Sequence, residues 1–346
     1  DDVSNNGARI PEIMTEVRVF DTAAGTLPTF LFSKTYPGYA LDTRRVKNHL
    51  ILVFADYLWV QDGRFESYGT GFASASSSGR SPYSPWIYSY REGGRPSDRP
   101  LKLDGADKIR GVGCTTILKS AAPDFDFRMT RVVSMNTKEA ASADQSTAVL
   151  GGGDQIYMSE RGIYLSKSDV SWYGWDETPR QSEPLLLTRI AFDGDSGAIA
   201  PVAYGVVQGR VKDQWAFKEF EGHDVLSVAT STGYLWGQGE NVAQNHRYVL
   251  KTNLDTHTLD VAAKIENFGT GEDIRAIRYV DSMAYVVTFK KTDPLFAFNL
   301  ADPLHPVLES ELKIPGFSVY MHPVNDQKMI GVGFDAADQG DFAWFQ

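Results

Sequence analysis

Two aspartates in a short turn are the residues whose type and spacing most directly suggest chemistry. The turn Asp193-Gly194-Asp195-Ser196-Gly197 offers two carboxylates and a hydroxyl, and Ca²⁺ binds several oxygen ligands in flexible geometry. Asp193 and Asp195 are therefore candidate calcium ligands. The turn lacks the later acidic residue of an EF-hand loop, and aspartate and glycine also occur in tight turns for their backbone conformations alone. Calcium is a possible cofactor, and the sequence indicates no other.

Aromatic side chains in two irregular segments are a second set of candidates, for binding rather than for catalysis. Trp86 and Tyr88 lie in a segment rich in serine, glycine and proline, whereas Trp172 and Trp175 lie in DVSWYGWDETPRQ. Exposed aromatic side chains near one rim of a protein form an interaction site. Trp215 lies in a predicted strand instead, where packing between strands is expected to bury it.

No linear catalytic motif accompanies these candidates. The sequence has no HExxH zinc motif, no nucleophile elbow, no Walker loop and no CxxCH haem site. Its six histidines are scattered. His322 in YMHP could line a channel or a pocket, but a structural histidine beside a turn is the favoured interpretation. A catalytic site assembled from several repeats would leave no linear motif, so a hydrolase or lyase stays open as an alternative.

The composition narrows the class of partner. The chain has 346 residues, a formal net charge of -10 and a sequence pI near 5.1, which argues against nucleic acid as a partner. No apolar run approaches the roughly 20 residues needed to span a bilayer, so no direct membrane span is expected. A single cysteine, Cys114, cannot form an internal disulfide.

Short β-branched and aromatic runs closed by turns fill most of the chain. Alternation of apolar and polar residues, as in RAIRYV, is typical of strands. About four strands recur per unit at a period of roughly 40–60 residues, which predicts an all-β fold, a β-propeller of four-stranded blades. About five units are predicted, opening at Glu16, Arg128, Leu185, Arg247 and Leu295. Residues 45–54 are expected to form one strand of the first unit.

Residues 1–346 are expected to form a single propeller domain with two insertions. Residues 61–127 are predicted to be a long loop, and residues 169–181 a short aromatic insertion. Both ends of the chain resemble unfinished blades. We therefore expect the chain to be incomplete at both ends and to belong to a ring of roughly six to eight blades.

Three stretches resemble a known family. They are Ile274–Leu300, with RYVDSMAYVVTFKKTDPLF; Leu312–Gly333, with KIPGFSVYMHP; and Gly209–Thr230, with GRVKDQWAFKEFEGHDVLSVAT. They are similar to secreted bacterial and archaeal β-propeller proteins, distantly related to WD repeats, which occur as exported proteins and lipoproteins. The resemblance implies a secreted, periplasmic or cell-surface location, with a signal peptide absent or already removed. It implies no catalytic residues.

The sequence therefore favours a binding or scaffold module over an enzyme. Rim loops of an extracytoplasmic propeller would hold a protein or a cell-surface polymer. One alternative is a structural subunit or processed fragment of a larger assembly, whose partner would be the rest of its own polypeptide. The other is a hydrolase or lyase with its site at the mouth of the propeller channel.

Overall fold

The computed structural model describes residues 14–22, 27–61, 64–68, 90–92, 95–97, 117–119, 128–150, 153–168, 183–220, 222–289, 293–314, 316–325 and 328–334. The chain divides into two compact units, residues 1–153 with 190–201 and residues 154–189 with 202–346. Regular structure in the described ranges is β-strand, apart from short 3-10 helices at Gln214–Ala216 and Gly239–Asn241. A single domain over residues 1–346 stays a prediction.

The first unit is built around a sheet whose main strands follow chain order. Its strands are β1 (Met14–Asp21), β2 (Thr29–Pro37), β3 (Tyr39–Val46), β4 (His49–Gln61), β5 (Arg64–Tyr68), β6 (Tyr90–Glu92), β7 (Arg95–Ser97), β8 (Ile117–Lys119), β9 (Arg128–Asn136) and β10 (Gln145–Leu150). The main sheet has the order β3-β4-β9-β10-β8, and β1 pairs with β2 in a separate hairpin. Alternate residues such as Leu52, Phe54 and Val133 face one core, against which Val17 and Val19 of the hairpin pack.

The second unit contains three successive four-stranded sheets and a hairpin. Its strands are β11 (Gln155–Met158), β12 (Gly162–Ser168), β13 (Pro184–Phe192), β14 (Ile199–Gln208), β15 (Phe217–Phe220), β16 (Val225–Thr232), β17 (Gln244–Asn253), β18 (Thr258–Phe268), β19 (Asp273–Val280), β20 (Met283–Phe289), β21 (Asp293–Asn299), β22 (Val307–Ile314), β23 (Phe317–Asn325) and β24 (Lys328–Phe334). The strands follow chain order within β11 to β14, β15 to β18 and β19 to β22, and a single parallel residue pair, Tyr204 with Thr258, links β14 to β18. The tip of the β13–β14 hairpin, residues 190–201, belongs to the first unit.

The three sheets of the second unit share one hydrophobic core. Leu187 of the first sheet, Leu226 and Leu250 of the second, and Ile277 and Phe298 of the third are all buried in it. Four-stranded sheets that follow chain order and stack on one another are propeller blades. The predicted fold class, a β-propeller of four-stranded blades, is confirmed, and the size of the ring stays a prediction.

The boundaries between blades differ from the prediction, although the four-strand period is right. Sheets of the second unit open at Gln155, Phe217 and Asp273, two strands before the predicted openings at Leu185, Arg247 and Leu295. The connection 233–243 joins β16 to β17 inside one sheet. Alternation along a strand shows which face is buried but not which sheet the next strand joins. The four-strand period was therefore predictable from the sequence, whereas the strand at which each sheet begins was not.

One strand prediction in the first unit needs correction, and one predicted loop contains short strands. The predicted strand 45–54 is interrupted by a turn at Lys47–Asn48, between β3 and β4, where Lys47 has a left-handed φ of 51°. Residues 61–127, predicted to be a loop, contain the short strands β5 to β8. Their other residues lie outside the described ranges. The predicted insertion 169–181 lies wholly outside them.

Three arginines occupy the third strand of successive sheets. Arg131 lies on β9, Arg189 on β13 and Arg247 on β17, equally spaced along the chain, and all three are buried. Arginine stays protonated at any ordinary pH, so each buried guanidinium needs a partner. In the second unit that partner comes from the next sheet. Arg189 Nη2 donates to Glu219 Oε1 at 3.1 Å, and Arg247 Nη1 donates to Tyr279 Oη at 3.0 Å.

Glu219 is the centre of the more extensive of these networks. Its carboxylate accepts hydrogen bonds from Tyr164 Oη at 2.8 Å and from Ser159 Oγ, in addition to the one from Arg189. Arg189 also donates to Asp224 Oδ1 at 3.1 Å. The Arg189–Glu219 pair joins two sheets through charged groups that are almost entirely buried. Glu219 is therefore a packing residue of the fold.

Removing the Glu219 carboxylate should destabilise the protein strongly. Glu219→Ala leaves Arg189 buried with only the half-exposed Asp224 as counter-charge, and breaking a buried ion pair costs about 3–5 kcal/mol. Urea unfolding followed by circular dichroism measures the loss. Glu266→Ala is the control, because Glu266 pairs with Lys264 at an exposed position and should cost less than about 1 kcal/mol. Equal losses in the two variants would contradict the role given to Glu219.

Tyr164 should make stability depend on pH in the alkaline range. Burial first, and then the charge of Glu219, raise the pKa of Tyr164 above its ordinary value. The folded state therefore favours the neutral phenol, so stability from this group is complete below a pH of about 10 and is lost as the pH rises further. The free energy of unfolding should fall less steeply above about pH 10 in Tyr164→Phe than in the wild type. Parallel pH profiles would show that Tyr164 is not responsible.

Candidate functional site: the aromatic loop edge

Three connections of the second unit lie at the same end of its strands. In an antiparallel sheet that follows chain order, successive connections alternate between the two ends. Residues 209–216 lead into β15, residues 233–243 join β16 to β17, and residues 269–272 lead into β19. Backbone hydrogen bonds tie them together, from Arg210 N to Ser231 O at 2.9 Å and from Gly271 N to Ala243 O at 2.7 Å. We call residues 209–216, 233–243 and 269–272 the loop edge.

Arg210 holds the loop edge to all three sheets. Its guanidinium donates to Gly233 O at 2.7 Å and to Asp273 Oδ1 at 3.0 Å, and forms an ion pair with Glu183. Glu183 in turn accepts the backbone N–H of Gly233 at 2.7 Å. Charge-assisted bonds to fixed partners are stronger than neutral ones. The loops are therefore held in defined positions by one side chain.

The connection 233–243 is compact because glycine occupies its tightest point. Gly233 has φ 66°, and a Cβ atom there would lie 2.4 Å from the carbonyl oxygen of Val242. Only a residue without a Cβ fits that approach. Tyr234 N and Ala243 N then bond to Asn241 O and Tyr234 O, which closes the loop on itself.

Three aromatic side chains are exposed on the loop edge. Trp215 is 48% exposed, Tyr234 44% and Trp236 70%. Large aromatic side chains that remain accessible on ordered loops are typical of interaction surfaces. The sequence analysis missed this group, and its expectation that Trp215 is buried was wrong. The 3-10 helix Gln214–Ala216 turns Trp215 outward, because Asp213 caps that helix by accepting the Trp215 N–H at 2.9 Å.

Two of these aromatic rings lie beside an arginine. The guanidinium carbon of Arg278 is 4.9 Å from the centre of the Trp215 ring, and that of Arg210 is 5.9 Å from the centre of the Tyr234 ring. A cation over an aromatic face is attracted by the ring quadrupole. The Arg278–Trp215 pair joins β19 to the loop edge. The described part of the site therefore combines exposed aromatic rings with neighbouring arginine side chains.

Of the five binding residues predicted from the sequence, His322 is the one that lies within the described ranges. Trp86, Tyr88, Trp172 and Trp175 lie outside the described residues, so their roles stay predictions. His322 lies on β23 and is exposed. Its Nδ1 is 3.1 Å from Tyr320 Oη and its ring stacks on that tyrosine. His322 therefore lies on a sheet surface, away from the loop edge in sequence.

Asp193 and Asp195 make contacts within the first unit that explain the turn without an ion. Asp193 Oδ1 accepts the N–H groups of Asp195 and Ser196, each at 2.9 Å, and these bonds lower the pKa of Asp193, that of Ser196 most. Asp195 forms an exposed ion pair with Lys47 at 2.6 Å. Calcium at this turn stays a prediction.

The described residues contain neither a metal-ligand cluster nor a membrane-spanning helix. No group of three or more histidine, cysteine, aspartate or glutamate side chains in these ranges is arranged to hold a metal ion. Within the same ranges, no helix has the length and apolar character to cross a bilayer. Among the described residues, the loop edge is the candidate functional site because its converging side chains are accessible.

Comparison with known proteins agrees with the fold. An uncharacterised protein of Methanocaldococcus jannaschii is 37% identical over 134 residues, which are 39% of this chain and 20% of that protein. An uncharacterised protein of Archaeoglobus fulgidus is 36% identical over 127 residues, 37% of this chain and 18% of that protein. The matched segment thus spans about a fifth of the length of these relatives. A family model described as "Beta propeller domain" matches residues 2–345, and the chain belongs to that family.

Proposed function

We propose that the protein is a binding module that holds a partner protein on its loop edge. The observation that carries the proposal is the exposure of Trp215, Tyr234 and Trp236 on loops fixed by Arg210. Aromatic side chains contribute most of the affinity at protein interfaces, since they bury a large area with little loss of conformational freedom. A preorganised surface also avoids the cost of ordering loops on binding.

The groups at the loop edge favour binding over catalysis. Its three connections contain no histidine. Their described carboxylates are already engaged, because Asp213 pairs with Lys212 and Glu272 accepts the Thr288 hydroxyl at 2.5 Å. General acid–base catalysis needs a group free to exchange a proton with a substrate. A location outside the cytoplasm is part of the proposal and rests on the resemblance to exported propellers.

Truncating the most exposed aromatic should remove partner binding without unfolding the protein. Immobilised wild-type chain and a Trp236→Ala variant would be exposed to the native extracellular and membrane fractions. The variant should capture the wild-type partner at least about tenfold less well, since truncating a central aromatic commonly costs more than 1 kcal/mol.

Leu254→Ala is the matched control. Leu254 is an equally accessible apolar residue in the turn between β17 and β18, at the opposite end of the strands. The control should capture the partner as the wild type does. Equal capture by all three proteins would contradict the proposed site, and thermal melting would confirm that each variant is folded.

A second candidate function, as a component of a larger assembly, is favoured by one surface of the second unit. The β23–β24 hairpin packs Met321 against Ala276 and Val287 of the neighbouring sheet. On its other face Ile330, Val332 and Phe334 are about half exposed. Such a face normally packs against a further sheet, and the relatives are about five times as long as the matched segment.

The assembly candidate predicts association through that face. In sedimentation velocity, the wild-type chain should associate as its concentration rises, and Val332→Lys should remain monomeric, because a charge cannot be buried in an apolar contact. Leu254→Lys, which places the same charge elsewhere, should behave like the wild type. Monomeric wild-type protein at all concentrations would count against association of this chain with itself.

A further inference from the structure

Three of the second unit's arginines that contact aromatic rings have no carboxylate partner among the described residues. Arg189 and Arg210 both form ion pairs. Arg247, Arg275 and Arg278 form none, and their described contacts with aromatic rings leave their charge uncompensated. This is unexpected in a chain with a formal net charge of -10, where acidic groups outnumber basic ones.

Arg278 is the accessible member of this group. It lies on β19 and is partly exposed. Its guanidinium carbon lies 4.9 Å from the centre of the half-exposed Trp215 ring. Its Nε atom is buried and has no hydrogen-bond partner among the described residues. The stacking holds the planar guanidinium in place, and no described residue accepts a hydrogen bond from its other N–H groups, which is an arrangement suited to bidentate recognition of a carboxylate.

Arg247 adds to the positive potential at this point. It is fully buried and donates to Ser227 Oγ at 2.9 Å and to Tyr279 Oη at 3.0 Å. Tyr279 Oη in turn donates to Ala216 O at 3.3 Å, and Ala216 follows Trp215. Two neutral hydroxyls orient the guanidinium but do not cancel its charge. Because buried charges are screened less than exposed ones, Arg247 contributes to the field around Trp215.

We infer that Arg278, stacked on Trp215, is the receptor for a carboxylate of an acidic peptide segment in the partner. The inference rests on the proposed binding at the loop edge and names the chemistry of the partner there. The peptide carboxylate would accept two hydrogen bonds from the guanidinium of Arg278, while neighbouring peptide groups contact Trp215. Arg247 favours the approach of a negative charge without contacting it.

An acidic peptide fits the observations better than an acidic polysaccharide. Sugar rings stack on open aromatic faces, but arginines approach the rings of Trp215 and Tyr234. A polymer with a charge on every sugar would also be repelled by the rest of a protein with a net charge of -10. A peptide segment with one or two carboxylates avoids most of that repulsion.

Fluorescence polarisation with matched peptides tests the inference. A labelled peptide with a Glu-Glu pair between neutral residues should bind the intact chain at least about tenfold more tightly than its Gln-Gln counterpart. Arg278→Gln should abolish this preference, and Arg278→Lys should retain only part of it, since lysine cannot form the planar bidentate contact. Lys264→Gln removes an exposed cation on β18 and should leave the preference unchanged.

The possible results separate this inference from the proposed function. Equal binding of the two peptides, or a preference that survives in Arg278→Gln, would overturn the carboxylate receptor. Tighter, Arg278-dependent binding of oligogalacturonate would overturn the choice of a peptide. If partner capture is lost in Trp236→Ala but intact in Arg278→Gln, the binding function stands and the inference fails. If Arg278 governs the peptide preference while Trp236→Ala captures normally, the role given to Trp236 in partner binding is wrong and the carboxylate contact is confined to Arg278 and Trp215.

Discussion

A buried guanidinium that reaches from one sheet to the next is the interaction on which the second unit depends. Arg189 and Arg247 occupy the third strands of successive sheets, and each bonds to the last residue but one of the following sheet's first strand, Glu219 or Tyr279. Apolar contacts between sheets tolerate small slips, whereas a buried charge does not, because any displacement leaves it without a partner. The arginines therefore fix how successive sheets stack.

The residue that accepts the arginine's hydrogen bond differs between the two sheet contacts, and the difference has consequences for charge. With Glu219 as partner, the charge of Arg189 is neutralised and the network is closed by Tyr164 and Ser159. With Tyr279 as partner, Arg247 is held in place but keeps its charge. The first version is a structural joint. The second leaves an electrostatic field beside the exposed ring of Trp215, which gives one part of the repeat a chemical character that the other lacks.

Sequence analysis reached the fold because strand content and period are local properties. Runs such as RAIRYV and MAYVVTF show their alternation directly, and the turn Asp281-Ser282 between them is short. The grouping of strands into sheets was not predictable in the same way. It depends on which connections cross to a new sheet, and the long connection 233–243 stays within one. The break at Lys47–Asn48 was missed although Asn48 favours turns, because the left-handed φ falls on Lys47, a residue that rarely adopts it.

The candidate site was harder to predict from the sequence than the fold, and Trp215 shows why. Its neighbours in QWAFKEF alternate as a strand does, which suggested burial. In the structure Asp213 caps a single 3-10 turn at that point and rotates the indole outward. The cap was visible as an aspartate two residues earlier. What could not be seen is that Arg278, more than sixty residues later in the chain, lies over the same ring.

The arrangement of charge explains why stability and recognition can coexist in one small repeat. The Glu219 network involves Ser159 and Asp224, which belong to turns joining first and second strands. Arg210 and the exposed aromatics belong to connections at the other end of the strands. The loop residues at one end can therefore be substituted to suit a different binding partner. The buried Glu219 network at the other end still keeps the sheets stacked. A repeat protein gains from this separation, because each blade must preserve its contact with the next whatever its loops bind.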